Sequence, residues 1–197
     1  LMLDEPLSAV DPSRREELRH LIAHLQRERR ITTLYVTHDR AEAAELGDRV
    51  ALLIEGRIIQ HAPPQELFSR PASAVVARFF GSSNLLTGDV VAGHLHAAGL
   101  RLPIDAPEGR ITVAVRPERL ELDPDGPLRG IVRVASYQGT HRRLVVDCGG
   151  TELEAHVDVD VPVEMGERVG LRVAPRHLWP LSDGADTTGS EHRQEVS

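Results

Sequence analysis

Residues 1–12, LMLDEPLSAVDP, decide how this chain is read. Leu1 to Leu3 are apolar, Asp4 and Glu5 are adjacent acids, and Pro6 ends the run. Five residues later, Asp11 followed by Pro12 predicts a helix start, because the aspartate caps free backbone N–H groups and proline is tolerated in the first turn. An apolar strand ending in two acids places both carboxylates at the carboxyl edge of a parallel sheet, where ligands of open α/β folds bind. One acid there suits Mg²⁺, which prefers hard oxygen ligands and keeps several waters. The other suits a water that must be oriented or deprotonated. Alone, the tripeptide DEP reads equally well as a strand-ending turn.

Moving outward, Leu18, Leu21, Ile22 and Leu25 recur at helical spacing, which predicts a helix to about Arg29 with one apolar stripe facing a core. TTLYVTHD, from Thr32, is rich in β-branched residues and predicts a strand buried on both faces. RAEAAELG follows as a short helix closed by Gly47, and Glu55-Gly56 between two apolar runs predicts a hairpin. PPQELFSR and ASAVVARFFG predict two short helices. Strand, helix, strand, helix and hairpin make the second half of an α/β domain.

At GSSNLLTG, Gly81 to Gly88, the helical pattern stops. From there to about Leu181 short strands alternate with Gly, Pro and Asp, which predicts an all-β domain of barrel type. VRPERL at Val115–Leu120 returns as VAPRHL at Val173–Leu178, the trace of a twofold repeat. The organisation expected is 1–82, 83–181 and an unordered polar tail at 182–197.

With 30 acids against 23 bases the net charge is −7, which argues against a general nucleic-acid binder. Every base is arginine, so chemistry that needs a lysine is not in these residues. The lone Cys148 makes no intramolecular disulfide and fits a reducing, cytoplasmic setting. Apolar runs such as VALLI are far shorter than the roughly 20 residues that cross a bilayer, so a membrane is expected to be reached through another subunit.

LMLDEPLSAVD resembles the end of the Walker B motif and the following D-loop of ATP-binding cassette (ABC) ATPases, and LYVTHD resembles their switch-histidine strand. DRVALLIEGRIIQHAPPQEL resembles the hairpin and helix that close that domain. The resemblance implies an α/β ATPase fold in which Asp4 holds Mg²⁺ through water and Glu5 polarises the water that attacks the γ-phosphate of ATP. It implies that His38 contacts that phosphate and that Ser8 and Asp11 belong to a loop crossing to a second ATPase subunit. Asp11 also serves as a helix cap. Phosphoryl transfer depends on a glycine-rich loop with its lysine. That loop, the LSGGQ-type signature and the glutamine loop are not in these residues. The expectation is therefore the carboxyl-terminal part of a longer ATPase, inactive by itself.

NLLTGDV and the β-rich stretch, with VAVRPERLEL and LRVAPRHLWPL, resemble the OB-like accessory (TOBE) domain of bacterial importer ATPases. The resemblance implies a homodimer at the cytoplasmic face of the membrane, joined to permease subunits, that imports a polyamine, iron, sulfate, molybdate, phosphonate or sugar. FFGSSNLL leans toward the polyamine and iron group. The alternatives are a regulatory module that binds a small anion or a protein beside an ATPase remnant, and a degenerate, non-catalytic homologue. Arg116, Arg142 and Arg143 are candidate oxyanion contacts or plain surface charges. His94 and His96 share a strand face without a third ligand and make a poor metal site.

Overall fold

The computed structural model describes residues 1–182 and divides into two compact units at Gly81/Ser82. The expectation for the tail falls, from residue 183 on, outside the described residues.

The first unit opens with β1 (Met2–Asp4), which pairs in parallel with β2 (Leu34–Val36) across α1 (Pro12–Arg29). Asp11 caps α1, accepting from Ser13 N at 2.9 Å, and the helix ends at Arg30 in the left-handed region. After β2 come α2 (Arg40–Leu46), the hairpin of β3 (Val50–Ile54) and β4 (Arg57–Ala62), α3 (Pro64–Ser69) and α4 (Ala74–Phe79). Glu55 and Gly56 both take positive φ (48° and 75°), the mirror-image turn that matches strand twist. The core of this unit is Leu52, Ala62, Leu67, Val76 and Phe80, beneath the hairpin.

Two expectations fail here. β2 is not buried on both faces: Leu34 is 58% and Val36 48% exposed. The α1 stripe is not covered either, since Leu21 is 50% and Leu25 42% exposed and Ala23 is the buried residue of the helix. The reason is the same for both. A parallel strand is buried by neighbouring strands and by helices on both faces, whereas β1 and β2 form a two-stranded sheet among the described residues.

The second unit is all β. β5 (Asn84–Val91), β6 (His94–Ala97), β7 (Leu100–Pro103) and β8 (Gly109–Val115) lead through a 3₁₀ turn, Pro117–Arg119, to β9 (Glu121–Leu122). β10 (Leu128–Tyr137), β11 (Arg142–Asp147), β12 (Glu152–Val157) and β13 (Arg168–Arg172) lead through a second 3₁₀ turn, Pro175–His177, to β14 (Trp179–Pro180). All pairings are antiparallel, in two five-stranded sheets ordered β14-β8-β5-β6-β7 and β9-β13-β10-β11-β12.

The two orders are the same, so the VRPERL/VAPRHL echo extends to a whole five-strand unit. Each echo forms the turn, and the strand after it crosses to the other repeat's sheet. Exchange of the last strand locks the repeats together. One continuous core fills them, with Leu95, Val113, Val132, Leu144, Ala155 and Leu171 at 0% exposure. Cys148 lies within it, and burial pushes its thiol up to about 11.

Candidate active site

At the end of β1 the chain turns at once. Glu5 has φ +42° although a proline follows it, a conformation strained for any residue with a Cβ. Its N–H donates to Val36 O at 2.9 Å, and its carbonyl accepts from Ser8 N at 3.1 Å and Ser8 Oγ at 2.9 Å. The strained residue is thus pinned to β2 on one side and to its own loop on the other. Arg15, one turn into α1, donates from Nε to Val10 O (3.0 Å) and from Nη2 to Ser8 O (3.2 Å), closing that loop against the helix. Leu7 anchors it from below at 3% exposure.

β2 delivers His38 to the same place. His38 Nδ1 lies 3.0 Å from Glu5 Oε1. The hydrogen bond to Glu5, and then the charge of that carboxylate, raise the His38 pKa above its ordinary value. Both side chains are largely open to solvent, so the pair is accessible to a ligand.

Beneath the pair lies a residue the sequence reading did not single out. Glu42 is only 4% exposed and accepts from Tyr35 Oη at 3.0 Å and Thr37 Oγ1 at 2.7 Å. Thr37 Oγ1 in turn accepts from Asp39 N at 3.0 Å, and Asp39 caps α2 through Ala41 N and Glu42 N. The peptide that carries His38 is therefore tied on both sides to a buried carboxylate. Burial and the bond to Glu42 push the Tyr35 hydroxyl far above its ordinary range. The signal in the sequence was an acid four residues after His38 in an alanine-rich helix.

Glu5, Ser8 and His38, with Arg15, Thr37 and Glu42, line a cleft of about 30 Å³. Asp4 lies beside it at the exposed strand end, opposite Val36, and its carboxylate has no hydrogen bond or ion pair to a described residue. Asp11 is turned to its own helix, where the bonds from Ser13 hold its carboxyl below the usual range.

In the second unit, the three arginines considered as anion contacts are engaged within the protein. Arg116 pairs with Glu118, Arg142 donates to Val161 O (2.7 Å) and Val163 O (2.8 Å), and Arg143 pairs with Glu154 at 2.8 Å. His94 Nδ1 is tied to Ala92 O at 3.0 Å, and no group of three His, Cys, Asp or Glu suited to a metal occurs among the described residues. No helix among them is long and apolar enough to cross a membrane.

Residues 113–181 match the TOBE domain family. The chain is 35% identical over 191 residues to the Fe(3+) ions import ATP-binding protein of Escherichia coli O157:H7, covering 94% of this chain and 55% of that protein. It is 38% identical over 187 residues to the spermidine/putrescine import ATP-binding protein of Ruegeria pomeroyi, covering 87% of this chain and 51% of that protein. It is 38% identical over 185 residues to the sulfate/thiosulfate import ATP-binding protein of Xanthomonas campestris pv. campestris, covering 90% of this chain and 52% of that one. The chain spans about half the length of the curated relatives it matches. Across most of its own length the chain is similar to the ATP-binding subunits of ABC-type importers, and residues 113–181 match the TOBE domain family.

Proposed function

We propose that residues 1–82 are the carboxylate-bearing part of an ABC ATPase nucleotide-binding domain, that residues 83–181 are an OB-like TOBE domain appended to it, and that the protein they belong to hydrolyses Mg-ATP to drive solute import. The observation that carries this reading is the 3.0 Å contact of Glu5 and His38 at the end of a parallel strand pair, in the cleft that Ser8 lines.

Asp4 fits a magnesium site, being an exposed hard-oxygen donor at the strand end with no described partner to displace. The ion would supply charge neutralisation for the phosphates. Glu5 is the general base that orients and takes the proton of the attacking water, and its strained, doubly pinned backbone fixes the direction of its carboxylate. His38 serves two oxyanions. With Nδ1–H donated to Glu5, only the doubly protonated ring also donates from Nε2 toward a phosphate oxygen, and its raised pKa favours that form. Ser8 and Asp11 lie on the loop assigned to the contact with a second copy.

The partners proposed are that second ATPase subunit and membrane permease subunits, with the protein peripheral at the cytoplasmic face. The relatives are named for Fe(3+), spermidine or putrescine, and sulfate or thiosulfate, so solute choice is assigned to the permease and not to this fold.

The test is phosphate release. Alone, the 197-residue chain is expected to give none, because it has no lysine for a phosphate-binding loop. In a chimera with the phosphate-loop and signature segments of a related importer joined ahead of Leu1, Glu5→Gln should cut turnover by about 100-fold or more while ATP still binds. Undiminished turnover in that variant overturns the role of Glu5.

A further inference from the structure

The second unit contains a cavity of about 660 Å³ that none of the roles above uses. Its floor is the β10–β13 pair and its walls are the loop after β9 and the turn after β11. In that pair Arg129 stands opposite Gly170, and Ile131 opposite Arg168. Residues directly opposite share a face, so both arginines project from one side of the sheet as a diagonal pair, with Cβ atoms somewhat less than about 7–8 Å apart. The other face of the same strands is core, with Leu128 at 1% and Leu171 at 0% exposure. Arg129 and Arg168 are exposed, line the cavity, and form no ion pair or hydrogen bond with a described residue.

The two acids that line the cavity are already engaged. Asp147 receives Arg133 at 2.7 Å and Gly150 N at 2.7 Å, and Asp123 receives Arg172 and Asp125 N. These pairs hold both carboxyls below the usual range, and the charge of Arg129 contributes only a minor part at Asp123. They also pin the two walls. One wall can come so close because Gly170 has no side chain: a Cβ there would lie 2.2 Å from Asp123 O. With Asp147 paired to Arg133 and Asp123 to Arg172, Arg129 and Arg168 are the charged lining residues left without an ion-pair partner among the described residues.

We propose that this cavity binds a small organic anion, a molecule with one phosphate or carboxylate head and an apolar body. Arg129 and Arg168 converge on the head, where guanidinium forks match oxyanion geometry. Leu122, Ile131 and Val163 face the body. The volume leaves room for such a body beside the head, since it lies in the range of sites that hold drug-sized ligands, roughly 300–1,000 Å³. The site is separate from the ATPase reading, and neither stands or falls with the other.

The experiment titrates the 197-residue chain with phenyl phosphate and with hexanoate, followed by backbone amide shifts, with inorganic phosphate and benzyl alcohol as controls. At least one of the organic anions should shift amides in 122–131, 147–150 and 168–170 and bind about tenfold or more tightly than either control. Arg129→Gln and Arg168→Gln, both at exposed positions, should each weaken binding about tenfold, whereas Arg143→Gln and Glu5→Gln leave it unchanged. Inorganic phosphate binding as tightly as phenyl phosphate overturns the organic-anion assignment. Benzyl alcohol binding as tightly as the anions overturns the role of charge. Absence of shifts with both anions, shifts confined elsewhere, or unchanged affinity in both arginine variants overturns the site.

Discussion

The two units bury their apolar residues differently. In the second, two five-stranded sheets related by repeat enclose one core that runs from Leu86 to Leu178. In the first, the hairpin and α3–α4 have a small core, while β1, β2 and α1 leave Met2, Leu21, Leu34 and Val36 largely exposed. Yet the catalytic candidates sit on the open pair, not on the closed sheets. There Glu5 and His38 are brought together by the backbone bond of Glu5 to Val36 and by the buried Glu42 behind the peptide that carries His38.

The sharpest break of this comparison is a pair of leucines. Leu144→Ala, in the centre of β11 at 0% exposure, removes a side chain packed on all sides and should cost about 2–5 kcal/mol. Leu34→Ala, 58% exposed on β2, should stay within about 0.5 kcal/mol. Urea unfolding of both variants measures the difference. A loss at Leu34 as large as at Leu144 would mean that β2 is covered in solution and that the two units bury their apolar residues alike.

Intermediate in size is Glu42→Ala. It leaves the hydroxyls of Tyr35 and Thr37 without their acceptor, a loss of about 1–3 kcal/mol, with both donors partly solvated and so toward the lower end. Glu42→Gln keeps an acceptor oxygen and should recover much of it. Equal stability of wild type and both variants, by the same unfolding measurement, would show that the buried carboxylate does not organise the first unit.

How much of this was legible in the sequence follows from where the determinants lie. The cap at Asp11, the stop after Arg29, the turn at Glu55-Gly56 and the strands around VRPERL are local, and local chemistry specifies them. Burial of β2 was misread because a β-branched run reports the environment a strand is suited to, whereas exposure is set by neighbours. Glu42 was missed for the opposite reason. Its helix announces only propensity, and its role comes from Tyr35 in β2 and Thr37 just beyond it, whose hydroxyls both reach it. The strand exchange between the repeats was half visible as a six-residue echo. The partner of β9 is β13, far along the chain, and no local pattern encodes that pairing.

The smallest expected effect tests the site itself. Because Glu5 raises the His38 pKa, the contact contributes to stability fully below the ordinary histidine value of 6.5, and that contribution is lost as pH rises through the higher folded value. The free-energy effect is small, since both groups are solvent-exposed and exposed ion pairs are screened. The proton itself is the better readout. Following the His38 ring protons by NMR against pH should give a midpoint above 6.5 in the wild type that falls back toward it in Glu5→Gln. Asp11→Ala, whose carboxylate faces α1, should leave that midpoint where it was. A His38 that titrates identically with and without the Glu5 carboxylate would separate the two groups in solution and leave the open strand pair without a formed site.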